Sequence, residues 1–244
     1  MVLFQFVLRK NCEEIVIIIP NQSDTYDSPS AARKDLTRHL RREQVSAMNI
    51  RERLMGLVQI LEQRDTVTYW HAMRVANYAL RFARSLQTPA RTARTYYMAG
   101  LLHDIGKIWL ADAILNKQAA LSPDETIAVR EHTVYGAHIL AGYDAPEVYI
   151  QTARSHHERI DGGGYPDGLS GPEIPFAAKL IAVIDMFDVI TTERPYKAAQ
   201  STEAALRIMS EETGRALDPD IVQSFSQWVQ ENFILHLPAD ASAS

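Results

Sequence analysis

From about Leu36 onward, apolar residues recur every three or four positions and never alternate convincingly with polar ones. Leu54, Leu57, Val58 and Leu61 mark one helical stripe, and Val75, Ala79, Phe82 and Leu86 mark the next. Start and stop signals divide the stretch. Ser122-Pro123-Asp124-Glu125 sets a capping serine, a proline at the first helical position and a glutamate three residues after the cap. Asp218-Pro219 repeats that start, and Gly214 suits the end of the helix before it. The Pro- and Gly-rich run from Asp161 to Pro175 predicts a long loop between helices. Together these signals predict an all-α, multi-helix bundle.

The chain ahead of the bundle is different in kind. Val2–Leu8 and Ile15–Ile19 are β-prone runs with a charged turn between them, and NQSDTYDSPS reads as a polar linker. The expected division is a short N-terminal extension with β-prone runs over 1–45, followed by a helical domain over 46–244. A helix of Leu36 to Gln63 would be long enough to pair two subunits as a homodimer.

Composition narrows the function classes. An apolar fraction of 46% over 244 residues can bury a core. A net charge of −5 provides no global field to collect a nucleic-acid polymer, so an anionic substrate must meet local charge, either a bound metal or a few placed Arg and Lys. The single cysteine, Cys12, rules out an intrachain disulfide. Arg9, Lys10, Glu13 and Glu14 interrupt the apolar start, and Ile15–Ile19 is too short to span a bilayer. A cytoplasmic protein without a membrane partner is the expectation.

The candidate chemistry lies in histidines and aspartates set among apolar residues. His103-Asp104 sits inside AGLLHDIGKIWL, with Lys107 four residues after His103 and so expected on the same helical face. His71 falls on a helix beginning near Thr66, His132 on the helix capped by Ser122, His156-His157 at the end of another, and Asp185 within LIAVIDMFDVI. A lone histidine on an apolar face is ordinarily a packed core residue, and His-His at a helix end can simply answer the dipole. Five histidines and two aspartates on separate helices have no such common reason, because buried ionisable groups are costly unless paired or metal-bound. His39, His138 and His236 lack this setting and read as surface or packing residues. Imidazole with carboxylate suits Fe, Mn, Zn, Co or Ni, and two such cations about 3.5–4 Å apart can clamp a phosphodiester.

HDIGK, then HHERIDGGGYP, then IDMFDVITTERPYK, in that order and at this spacing, resemble the HD-GYP branch of the HD metal-dependent phosphohydrolases from about Arg64 to Phe225. The resemblance implies an HD-type helical bundle that hydrolyses cyclic di-GMP to the linear dinucleotide, in some members on to GMP, with two divalent ions, Fe or Mn, activating a hydroxide. It implies that His71, His103, Asp104 and Asp185 hold one ion and that Asp104, His132, His156 and His157 hold the other, Asp104 bridging. Lys107 is similar to the lysine that meets the scissile phosphate. Arg194 and Lys197 of RPYK would hold phosphate oxygens, and Tyr165 would stack on or bond to the nucleotide. Asp188 would read a guanine edge or orient a ligand. Glycines 162 to 164 would let their loop take positive φ and approach a ligand.

Departures from the pattern carry expectations too. Val67 stands where some members place a glutamate for a third metal, so two ions are predicted. Ile160 stands where an aromatic is usual, and Trp70 beside His71 is expected to narrow the pocket. Hydrolysis of cyclic GMP-AMP or a nucleotide monoester is the alternative within the enzyme class. Outside it stands a non-catalytic scaffold engaging a GGDEF-type or other signalling protein through the GYP loop.

Overall fold

The structure, a computed structural model, describes residues 49–115, 117, 119–193 and 198–234. The expected N-terminal strands, the linker, Cys12, His39, His236, Arg194 and Lys197 lie outside the described residues. Within the described residues the chain is helical, with no β-strand.

The first helix, α1 (Ile50–Arg64), opens on a reciprocal cap: Glu52 N donates to Asn49 Oδ1 at 3.0 Å, and Asn49 N donates to Glu52 Oε2 at 3.2 Å. Asn49 is in extended backbone, so the helix expected over Leu36 to Gln63 is interrupted there, and its part before Asn49 lies outside the described residues. Next, α2 (Thr66–Ser85) starts on an Asp65 cap and α3 (Ala90–Leu102) follows. A 3₁₀ turn spans Ile105–Trp109, and the short α4 (Asp112–Leu115) leads to α5 (Pro123–Arg130), which begins on the expected Ser122 cap. Beyond it come α6 (His132–Gly142), α7 (Glu147–Ser155), α8 (Phe176–Thr191), α9 (Thr202–Glu211) and α10 (Pro219–Val229).

Two apolar clusters hold the helices together. One packs α1, α3, α6 and α7 through Leu54, Leu57, Leu61, Leu101, Leu102, Leu140 and Ala153. The other packs α2, α8, α9 and α10 around Phe82, Phe187 and Phe225, where Phe225 meets the other two rings edge to face at 5.2 and 5.4 Å. Burying each such side chain stabilises the fold by about 1.5–3 kcal/mol. Helix α2 belongs to both clusters, presenting Val75, Ala79 and Phe82 to one and Ala76 to the other. Leu86, the last residue of the second predicted stripe, caps α2 and is exposed.

Two local expectations are corrected. The helix capped by Ser122 stops at Arg130, and His132 opens a new helix instead of continuing the old one. HDIGK is not one helical face either, because α3 ends at Leu102 and Ile105–Trp109 winds as a 3₁₀ turn. Gly106 explains why that turn is tight. A Cβ there would lie 1.9 Å from His132 O and 2.5 Å from Gly136 N, so only glycine lets the turn seat on α6. Lys107 therefore meets Asp104, three residues back, and not His103.

Candidate metal centre

Helices from both clusters deliver the site. His71 comes from the second turn of α2, and His103-Asp104 from the turn that ends α3. His132 opens α6, His156-His157 follow α7, and Asp185 lies on α8. His71, His103, Asp104, His132 and His156 are buried, while His157 and Asp185 are half-buried and face a cavity.

Asp104 stands at the centre. Its Oδ2 lies 2.7 Å from Lys107 Nζ, 3.4 Å from His103 Nε2 and 3.8 Å from His71 Nε2. Its Oδ1 lies 3.2 Å from His132 Nε2 and 3.8 Å from His156 Nε2. Two groups that could hold a metal ion therefore share this carboxylate: His71, His103 and Asp104 on one side, and Asp104, His132, His156 and His157 on the other. Asp185 joins the first side through Oδ1, 3.0 Å from His71 Nε2.

The backbone fixes which imidazole nitrogen faces inward. His103 Nδ1 is 2.7 Å from Gly100 O, and His132 Nδ1 is 2.6 Å from Val129 O. His156 Nδ1 is 3.1 Å from both Thr152 O and Ala153 O. A carbonyl only accepts, so each Nδ1 carries a proton, and each ring turns its Nε2 toward Asp104. In the neutral ring that binds metal, such an Nε2 presents a lone pair to a carboxylate in a buried space. His103 Nε2 and Asp104 Oδ1 indeed have no hydrogen-bond partner, although both are buried. Each such orphan costs about 1–3 kcal/mol unless something satisfies it, and a divalent cation on each side of Asp104 would. The donor set fits a metal of the imidazole–carboxylate class.

His71 differs because its Nδ1 faces Asp188 Oδ2 at 2.7 Å. Burial lowers the His71 pKa, but hydrogen bonds to Asp185 and Asp188 prevail and raise it to about 9. Burial favours protonation of Asp104, yet the Lys107 ammonium beside it holds it well below the usual carboxylate range. Asp185 is likewise held low against its burial by the bond to His71. His156 and His157 go the opposite way: burial and neighbouring histidines keep both neutral, His157 down to about 4. Neutral imidazoles beside ionised carboxylates are the forms that ligate metal.

A cavity of about 430 Å³ opens on this centre, lined by Arg130, His156, His157, Tyr165, Asp185 and Met186 among others. Tyr165 stacks on His157, with centroids 4.9 Å apart and planes 27° apart. Its loop is built from within. Glu158, buried, accepts from Asp167 N at 2.7 Å and Leu169 N at 3.0 Å, and Arg154 grips Asp167 at 2.7 and 2.6 Å. Of the three adjacent glycines only Gly162 has positive φ. Gly164 is needed for close approach to its own chain, since a Cβ there would lie 2.5 Å from Glu158 Cα. Gly163 and Gly164 also line the cavity.

Asp188 has no exposed surface, and both its oxygens are engaged, by His71 and by Arg74 Nε at 2.7 Å. Of its two anticipated roles, reading a guanine edge has no accessible atom, and ligand orientation matches the contacts. Trp70 is 54% exposed, rests edge-on against Tyr69 and is not part of the cavity wall, so the expected narrowing is absent. Neighbouring positions on a helix point about 100° apart, which turns Trp70 out as His71 turns in. His138 lies at the surface on α6, as anticipated. Sequence reasoning does not single out Arg74, Glu158 or Arg130. The i+3 spacing of Arg74 from His71 is a visible signal, while Glu158 acts within its own loop and Arg130 meets Tyr165 only through folding across the chain.

A family profile for the HD domain matches residues 46–221. A cyclic di-GMP phosphodiesterase of Pseudomonas aeruginosa is 38% identical over 75% of this chain and 44% of its own length. A 3′3′-cGAMP-specific phosphodiesterase of Vibrio cholerae is 38% identical over 66% of this chain and 35% of its own. The chain thus spans less than half the length of these curated relatives. A crystal structure of a cyclic GMP-AMP-specific phosphodiesterase of Vibrio cholerae matches the fold with a TM-score of 0.58 at 18% identity, covering 75% of this chain and 49% of that one.

Proposed function

The chain belongs to the HD domain family, in its HD-GYP branch, and from that premise we propose that it hydrolyses cyclic di-GMP to the linear dinucleotide with two divalent ions, Fe or Mn. The observation that carries this reading is Asp104, whose two oxygens face two separate sets of inward-turned imidazoles. His71, His103, Asp104 and Asp185 would hold one ion, and Asp104, His132, His156 and His157 the other. Val67, one turn before His71, offers no carboxylate for a third ion and points to solvent, 59% exposed. When bound, such ions lower the pKa of water toward neutrality and neutralise charge on the phosphodiester.

The remaining work falls to the chain's own side chains. Lys107 Nζ sits 2.7 Å from Asp104, where a cation on the carboxylate would leave the ammonium to face a phosphate oxygen as charge develops. Tyr165, braced on His157, offers its phenol to the nucleotide. Burial pushes that phenol's pKa up, so it stays a hydrogen-bond donor at any physiological pH. Arg194 and Lys197 are proposed phosphate contacts on the strength of the RPYK motif. Residues 46–244 are taken as the catalytic domain.

Cyclic GMP-AMP is the second reading, supported by the Vibrio relative of equal identity. A scaffold without catalysis fits less well, since it has no use for so many converging buried ligands. Parallel turnover of cyclic di-GMP and cyclic GMP-AMP by anaerobically purified, Mn- or Fe-loaded protein is the test. Release of linear GMP dinucleotide from the first supports the proposal; turnover of the second alone transfers it to the mixed dinucleotide. Turnover of neither, with metal bound, overturns it.

A further inference from the structure

A cyclic dinucleotide carries two phosphodiesters on opposite sides of one macrocycle, and only one can lie at the metal centre. The other enters the cavity with a full negative charge, in a chain whose net charge is −5. It must find a cation in the wall. Arg194 and Lys197 lie outside the described residues, and most of the described cations near the cavity are already engaged. Lys107 is paired with Asp104 at 2.7 Å, Arg154 with Asp167 at 2.6 Å, and Arg159 with Asp161 at 2.8 Å and Glu212 at 3.5 Å. Arg74 is held by Asp188.

Arg130 is different. It closes α5, lines the same cavity as His156, His157 and Asp185, and has no carboxylate partner among the described residues. Its guanidinium lies 5.0 Å from the centroid of the Tyr165 ring, and that ring lies 4.9 Å from His157 on a nearly parallel plane. A stack of imidazole, phenol and guanidinium thus runs outward from the metal centre. Tyr165 holds the guanidinium by cation–π attraction without occupying its N–H donors, which stay open to an incoming oxyanion. A planar fork held on a ring at a cavity wall suits the oxygens of a phosphodiester.

We propose that Arg130 is a substrate-positioning residue that grips the phosphodiester not being cleaved, and so favours cyclic dinucleotides over simple diesters. This rests on the phosphodiesterase reading above. The test compares wild type, Arg130→Gln and Arg130→Lys, metal-loaded, on cyclic di-GMP, cyclic GMP-AMP and bis(p-nitrophenyl) phosphate, which has one phosphodiester and no second. A hydrogen-bonded charge pair contributes about 1.5–3 kcal/mol, so Arg130→Gln should raise KM for the cyclic dinucleotide roughly 10- to 100-fold. Its kcat, its metal content and its turnover of bis(p-nitrophenyl) phosphate should stay near wild type, and Arg130→Lys should recover part of the loss. Arg130 is exposed, so neither variant threatens folding. An unchanged KM for the cyclic dinucleotide, or equal losses on both kinds of substrate, would overturn the assignment. Wild-type protein that cleaves the simple diester but neither cyclic dinucleotide would instead overturn the reading beneath it, and this assignment with it.

Discussion

At the scale of single residues, the site depends on which proton sits where. Asp188 holds His71 by Nδ1 and is itself held by Arg74, so it sets both the orientation and the basicity of that ring. Replacing Asp188 with Asn should weaken metal binding at the His71 side about 10- to 100-fold, as measured by competition with a chelator, while the His132 side keeps its affinity. The raised His71 pKa has a second consequence. Below about pH 9 an entering metal must displace a proton from that ring, so apparent affinity at this side should rise with pH and level off near 9. Titrations at pH 7, 8 and 9.5 check this, and a flat profile would contradict it.

At the scale of elements, two short segments carry the geometry. The 3₁₀ turn Ile105–Trp109 seats on α6 only because Gly106 has no side chain. Gly106→Ala must push that turn away from α6, which carries Asp104 away from His132. The change should cost about 1–3 kcal/mol or more in denaturant unfolding, along with metal affinity. The loop after α7 hangs on Glu158 in a comparable way. Glu158→Ala would strand the amides of Asp167 and Leu169, costing about 1–3 kcal/mol and loosening Tyr165, so KM should rise more than metal affinity falls. Much of this level was legible beforehand. The caps at Ser122 and Asp218, the apolar stripes and the long loop are local signals, and the helices start where those caps stand. The break at Glu131 and the 3₁₀ turn were not legible, because both follow from α6 packing against Gly106 across the fold. Asp104 and the histidines stood out as ionisable groups in apolar runs; Arg130 and Glu158 stood in polar surroundings and carried no such mark.

At the scale of the whole molecule, the buried histidines tie stability to pH and to metal. His157 is held neutral, with a folded pKa of about 4 against 6.5 for the free side chain, and His156 is shifted in the same direction. A depressed histidine pKa contributes stability that is fully present above 6.5 and is lost as pH falls toward 4. Metal-free protein should therefore lose stability over that range by about 1.4 kcal/mol per pH unit from His157, with His156 acting in the same direction, read as a falling Tm. His71 adds no slope there, since it is protonated in both states below 6.5, and its own contribution is lost as pH rises through about 9. Bound metal should flatten the acid limb until protons outcompete it. The central claim is that one carboxylate joins two ligand sets into a two-ion hydrolytic site, and the most direct test is metal content with cyclic di-GMP turnover, measured on the same anaerobic preparations of wild type and Asp104→Ala. About two equivalents of Fe or Mn in the wild type, with both metal and turnover lost in the variant, is the expected result. A wild type that binds no metal, or a variant that keeps two ions and full turnover, would contradict it.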